Sequence, residues 1–250
     1  MTSVQQPLSA LQRFFSADFA RISLEALDSL PVSLREFPTG WTSPWELTLL
    51  YNLVKHSSGP LRILEIGPWI GRSTTAISLG IRDRESRKDV LYDIVDFGIT
   101  SGAEWEALLK VPYLNFAGQD QISRTIHAPG GSVAVLIENP RKLGLLEQVT
   151  SVIRGDCLQV PMRSSYDLIF CDCVHDAREI QQYGHLLADR LRPGGLLVCD
   201  DVIDPTLGKV LAGYVPFDFL IYLHQQDPGS KFCVGRKSVT PGATTMGAAA

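Results

Sequence analysis

From residue 61 onward the chain is written as short apolar runs separated by longer amphipathic stretches. The runs are LRILEIG (61–67), DVLYDIVD (89–96), TSVIRGD (150–156), YDLIFCD (166–172) and GLLVCDD (195–201). Each is apolar through its length rather than alternating, as in strands covered on both faces. Helical periodicity lies between them, including 71–82 and 176–191. In the second stretch Ile180, Tyr183, Leu187 and Leu191 share one side, and RPGG stops the pattern. This alternation predicts an α/β fold built on a doubly wound, mostly parallel, Rossmann-like sheet.

Three regions depart from that rhythm. FDFLIYLHQ (217–225) and KFCVGRKS (231–238) flank the turn-rich QDPGS, which predicts a C-terminal antiparallel hairpin. Segment 97–131 is long for a connection, with one short helix expected in SGAEWEALLK, and reads as a lid or insert. Residues 1–60 read as a helical cap. Leu8, Leu11, Phe14, Phe15 and Phe19 make one apolar face before Pro31 and Pro38 break it. In TSPWELTLLYNLVKH, Ser43 is placed to cap, Pro44 to start the helix and Glu46 to close a capping box. Leu47, Leu50, Tyr51 and Val54 form its buried stripe. The expected organisation is therefore a cap over 1–60, an α/β domain over 61–237 and a frayed tail over 238–250. Pro140, in ENPRKLGLL, either kinks the helix before the third strand or restarts it.

Composition narrows the partners. The 250 residues are 45% hydrophobic and 20% charged with a net charge of −4, which gives no basic footprint for nucleic acid or an anionic membrane. No apolar run reaches the length of a membrane span, and MTSVQQPLSALQRFF lacks the features of a signal peptide. A cytoplasmic protein with a small-molecule partner is expected. The amphipathic N-terminus suits either a homo-oligomer interface or a cover for the chain's own sheet. Cysteines 157, 171, 173, 199 and 233 have no C-x-x-C spacing and read as packing residues of a reducing compartment. The C-x-C around Asp172 places both thiols on one strand face, opposite the acid.

The polar residues that end the apolar runs carry the chemistry. In LRILEIGPWIGRSTTAI, Gly67 and Gly71 permit a tight turn and close approach of a ligand to the helix start, where Ser73 adds a hydroxyl. This is neither G-x-G-x-x-G nor a phosphate-binding loop, so a dehydrogenase ranks last. Glu65 suits a ligand bearing an ammonium or hydroxyls. Asp96, preferred over the mid-strand Asp93, is placed to accept ribose hydroxyls, and Asp156 borders the same crevice. The bland reading is a strand–helix turn without ligand.

Asp172, Asp200 and Asp201 end two further strands. If those strands are central, the three carboxylates converge, and a hard divalent ion such as Mg²⁺ would relieve their repulsion. They could equally be turn and helix caps. His175 follows in the loop after Asp172, with Asp176 as the expected N-cap of the next helix.

LEIGPWIGRST, DIVD, NPRKLGLLEQVTSVIRGD, YDLIFCDCVHD and LRPGGLLVCDDV, in that order, resemble the motifs of class I S-adenosylmethionine-dependent methyltransferases. The resemblance spans about Thr42 to Lys237 and is strongest to metal-dependent O-methyltransferases of the catechol and macrolide-sugar types. It implies a methyltransferase sheet, S-adenosylmethionine at the Gly67–Gly71 turn and Mg²⁺ at Asp172, Asp200 and Asp201. It also implies a general base at His175, from the D-x-x-H of the macrolide-sugar enzymes. The catechol-type lysine has no counterpart in 173–178. The acceptor would be a natural-product, sugar or phenolic hydroxyl. The alternatives are a non-methylating catalyst on this fold, such as a cyclase, or a cofactor-binding module.

Overall fold

The computed structural model describes residues 14–16, 18, 21–110, 112–113 and 120–239. Each apolar run forms a parallel strand: β1 (Leu61–Ile66), β2 (Val90–Asp96), β3 (Ser151–Arg154), β4 (Tyr166–Cys171) and β5 (Leu191–Cys199). The hairpin adds β6 (Phe217–Tyr222) and β7 (Cys233–Lys237), antiparallel to each other and with β7 antiparallel to β5. The sheet order is β3-β2-β1-β4-β5-β7-β6. The helices are α1 (Pro44–Lys55), α2 (Arg72–Asp83), α3 (Gly102–Leu109), α4 (Asp120–Ile126), α5 (Gly131–Lys142), α6 (Ala177–Arg190) and α7 (Pro205–Ala212).

The unbroken apolarity of the strands has a direct physical cause. Successive side chains point to opposite sheet faces, and both faces are covered. Ile63, Leu168, Phe170 and Val198 join the core under α1 and α2. Their neighbours Leu64, Ile169, Cys171 and Cys199 join the core under α6 and α7. Strand order reverses between β1 and β4, and a crevice opens outside the carboxyl ends of such a pair. Gly67 leaves β1 there and Asp172 leaves β4.

Of the helical cap expected over 1–60, the described stretch 21–40 contains no α-helix. That stretch holds two 3-10 turns, Leu24–Ala26 and Leu34–Glu36, and an isolated bridge pairs Phe15 with Ile22. Its apolar residues act as single anchors: Phe14, Phe15, Ile22 and Phe37 are buried in the α1–α2 core while the chain between them stays irregular. Pro31 and Pro38 forbid a continuous helix through it. Leu8, Leu11, Phe19, Phe116 and positions 240–250 lie outside the described residues. α1 is as expected, with Ser43 and Glu46 exchanging both capping-box bonds and Pro44 at the first turn. Pro140 falls in the last turn of one uninterrupted helix, α5. Within 97–131, α3 and α4 enclose a small core of Ile99, Trp105, Ile122 and Ile126, against which Trp69 packs. Among the described residues no helix is long and apolar enough to cross a membrane.

Candidate active site

The first turn is built by backbone geometry. Gly67 and Gly71 have φ of +79° and +90°, and Trp69 between them also lies in the left-handed region at +55°. A Cβ on Gly67 would stand 2.4 Å from the Asp172 carbonyl oxygen, so the turn after β1 and the loop after β4 touch through that glycine. Gly71 caps α2 without a side chain, leaving the first-turn N–H groups open. Asn139 Nδ2 donates to the Ile70 carbonyl at 2.8 Å, and Arg72 donates to the Pro38 and Thr42 carbonyls, fixing the 38–42 loop beside the turn. On that loop Trp41 is 60% exposed, and its ring lies 6.5 Å from Trp69, which in turn meets Trp105 edge-on at 5.5 Å.

The predicted cofactor residues separate into two groups. Glu65 is fully buried under the turn, where Oε2 accepts from Thr74 Oγ1 at 2.7 Å and from the Tyr92 hydroxyl. Burial raises its pKa, with the Ser73, Thr74 and Tyr92 hydroxyls opposing the shift. Its Oε1 is buried with no hydrogen-bond partner among the described residues. Ser73 is likewise buried, in the first turn of α2. Asp96 closes β2 at the crevice, accepting from the Gly98 N–H at 2.7 Å and from the Trp69 N–H, and burial raises its pKa. Asp93 is engaged by Ser151, Arg163 and Tyr166. Asp156, after β3, accepts from the Leu158 N–H at 2.9 Å and shapes its own turn. Gly67 and Asp96 stand at the carboxyl ends of β1 and β2 and Gly71 at the start of α2, whereas Glu65 and Ser73 are buried under the turn.

The acid cluster forms because the ladder continues past the strand ends. The Asp172 N–H donates to the Ile66 carbonyl at 2.9 Å, and the Asp200 N–H donates to the Cys171 carbonyl at 3.0 Å. Asp201 takes φ +61°, which swings its carboxylate toward the histidine. His175 Nε2 lies 3.8 Å from Asp172 Oδ1 and 3.7 Å from Asp201 Oδ2. Ligand atoms of Asp172, His175 and Asp201 all lie within 4.8 Å of one another. On the far side of the ring, His175 Nδ1 lies 2.9 Å from Glu179 Oε2, which also accepts the His175 N–H at 2.8 Å. The Glu179 carboxylate only accepts, so this contact is made by a ring protonated at Nδ1, and it turns Nε2 toward the acids. Asp176 caps α6, as expected, accepting from the Arg178 and Glu179 N–H groups.

Asp200 is placed differently. It is 2% exposed and accepts from the Asp201 N–H, and Lys231 Nζ stands 3.0 Å from its carboxylate and 3.2 Å from Asp201 Oδ1. Burial pushes Asp200 up to about 6, with Lys231 opposing. Asp172 is also raised well above the usual carboxylate range, first by burial and then by the charge of Asp200. The backbone that carries this lysine is anchored by Glu46: its Oε1 accepts from Ser230 Oγ at 2.8 Å and from the Lys231 backbone N–H at 2.6 Å. Glu46 thus caps α1 and also fixes the start of β7. Lys231, Glu179 and the second role of Glu46 escaped the sequence reading. Only Glu179 carried a signal, four residues beyond His175 in a helix start.

These donors fit a divalent ion. Asp172 and Asp201 offer carboxylate oxygens within 4.8 Å of one another beside the His175 ring, and the charge repulsion on Asp172 favours a cation there. The crevice fits a ribose-bearing cofactor, with a glycine turn a Cβ would obstruct, an open helix start and an acid closing β2.

An open parallel sheet with these features, completed by an antiparallel β7 inserted beside β5, is the class I methyltransferase fold. A family model described as a methyltransferase domain matches residues 64–202, and the chain belongs to that family. The O-methyltransferase NovP is structurally similar, with a TM-score of 0.56 and 17% identity over 93% of this chain and 96% of that one. TomG, an O-methyltransferase of Streptomyces achromogenes involved in tomaymycin synthesis, gives 0.43 and 14% over 79% and 81%. A candidate O-methyltransferase of Nostoc punctiforme gives 0.48 and 15%, covering 78% of this chain and 57% of that one. No curated protein matches the sequence.

Proposed function

We propose that the protein transfers the methyl group of S-adenosylmethionine to a hydroxyl oxygen of a small molecule, with a divalent cation, Mg²⁺, held at the acid cluster. The observation that carries this reading is the orientation of His175: Nδ1 is fixed on Glu179, and Nε2 faces Asp172 and Asp201. That is the arrangement of a general base beside a cation site.

The Gly67–Gly71 turn and Asp96 would hold the cofactor, which supplies an activated methyl group. Asp172 and Asp201, with Asp200 behind them, would hold the cation, which lowers the pKa of an acceptor hydroxyl. His175 Nε2 takes the acceptor proton. Glu179 keeps the ring in the correct tautomer and stabilises the imidazolium that forms. Trp41 and Trp69 offer an aromatic wall beside the turn for a planar or bulky acceptor. Orientation and charge stabilisation supply the rate, with no covalent intermediate on the protein.

The test is S-adenosylhomocysteine release with a panel of phenolic and sugar acceptors, in chelator and after adding Mg²⁺. Turnover that disappears with chelator and returns with Mg²⁺ supports the proposal. A second reading rests on Lys231, which already brings a positive charge to within 3.2 Å of both Asp200 and Asp201. In that reading methyl transfer proceeds without an ion, and chelator has no effect. Cofactor binding without product from any acceptor would point to a repurposed methyltransferase fold.

A further inference from the structure

The five cysteines are all free and form one continuous row beside the acid cluster. Cys171 and Cys199 are in register on β4 and β5, and Cys199 and Cys233 are in register on β5 and β7. The Cys199 thiol is within hydrogen-bonding reach of Cys171 and Cys233, and the Cys173 thiol reaches both Cys171 and Cys157. Four members are buried; Cys173 alone is partly exposed. Its Sγ stands 3.3 Å from Cys171 Sγ, with Asp172 between the two residues in the chain. We propose that Cys171 and Cys173 form an oxidant-responsive dithiol, a modification site for hydroperoxides whose closure displaces Asp172.

Geometry selects this pair from the row. β4 ends at Cys171 and the chain bends at Cys173; even fully extended, two positions this close in sequence are at most about 6.6 Å apart at Cα, inside the range a disulfide spans. Both thiols already face each other on one side of the strand end, so closure needs side-chain rotation and a small backbone adjustment. Cys199 and Cys233 lie under the sheet's covering helices and offer an oxidant no approach. Cys157 sits on a separate loop after β3, so pairing it with Cys173 would require two elements to move together.

The chemistry balances in two steps. The Cys173 thiol reduces a hydroperoxide to an alcohol, or to water from hydrogen peroxide, and becomes a sulfenic acid. The Cys171 thiol then displaces water from that sulfur, giving the disulfide, with both electrons having passed to the peroxide. The ring so closed contains the backbone of Asp172, whose N–H is bound to Ile66 and whose carbonyl packs on Gly67. Drawing the two cysteines together therefore shifts the cation loop and the cofactor turn at once. That functional consequence rests on the proposed cofactor site; the disulfide does not.

The experiment treats the protein with hydrogen peroxide, blocks remaining thiols and maps the peptides by mass spectrometry, with calorimetric titration of S-adenosylhomocysteine before and after. The expected product is a 171–173 crosslink, about 2 Da lighter than the reduced protein, and reversible by dithiothreitol. Cys173→Ser and Cys173→Ala should lack it, and Cys233→Ser should retain it. Affinity for S-adenosylhomocysteine should fall by about tenfold on oxidation and recover on reduction. A sulfinic acid on Cys173, or a 157–173 crosslink, overturns the dithiol assignment. A 171–173 crosslink with unchanged affinity overturns its coupling to the crevice. Reduced protein that binds no S-adenosylhomocysteine refutes the cofactor reading, and the peptide map still decides the dithiol.

Discussion

At the scale of single residues, His175 is half exposed and draws its usefulness from two neighbours that pull on opposite ring nitrogens. His175→Ala should lower kcat by about 10² to 10⁴-fold, the range for a positioned general base, while leaving S-adenosylhomocysteine binding intact in calorimetry. Glu179→Gln should cost less and should show chiefly in the pH profile of kcat, because the ring loses its tautomeric preference. Asp200 carries a stability consequence. Its folded pKa of about 6 exceeds the ordinary carboxylate value of 3.8, so the folded state keeps a proton that the unfolded chain has released. The stabilisation is full below the unfolded value and is lost as pH rises through 6. In chelated buffer, thermal melts should show a fall in Tm between pH 4 and 6.5 that Asp200→Asn flattens. Asp172, Asp201 and His175 were legible because polar residues abruptly terminated apolar runs. Lys231 was not, since a lysine at a hairpin turn is ordinary until the sheet order carries it across the acids.

At the scale of elements, the capping box of α1 shows how one local signal can hide a second role. Ser43→Ala removes a cap and should cost about 1 kcal/mol in denaturant unfolding. Glu46→Gln should cost more, about 2–3 kcal/mol, because the buried carboxylate also receives Ser230 and Lys231 and those are charge-assisted bonds. The variant should bind Mg²⁺ differently from wild type in calorimetry, since the backbone N–H of Lys231 loses its charged acceptor. Gly67→Ala should abolish cofactor binding, since the turn needs a left-handed φ and a methyl group would drive into the Asp172 carbonyl. The parallel strands and the hairpin were readable from apolar runs and turn residues. The helical cap expected over 1–60 is irregular through 21–40 because its apolar residues there are anchors for irregular chain. α4 and α7 are short, and tertiary packing against α5 and α6 decides them more than their own pattern.

At the scale of the molecule, the turn after β1 and the acids after β4 and β5 are joined through Gly67 and the Ile66–Asp172 bond, so ligands in the two halves of the crevice should stabilise one body. S-adenosylhomocysteine at a hundred times its Kd should add about 2.7 kcal/mol to the unfolding free energy. If the acid cluster takes Mg²⁺, a further rise in Tm should follow its addition and vanish in Asp172→Ala. The order of the strands has a separate consequence for how the chain comes together. Among the described residues β7 is the last strand in chain order, yet it sits between β5 and β6 rather than at an edge. Before β7 inserts, β6 has no partner in the sheet, and Asp200 has no ammonium beside it. A nascent or truncated chain therefore exposes a bare β5 edge next to unneutralised acids, the kind of intermediate that recruits chaperones or aggregates. The slow step of folding is expected to be this insertion. It should shorten when the acids are neutralised by Asp200→Asn, an outcome that refolding kinetics followed by tryptophan fluorescence would reveal.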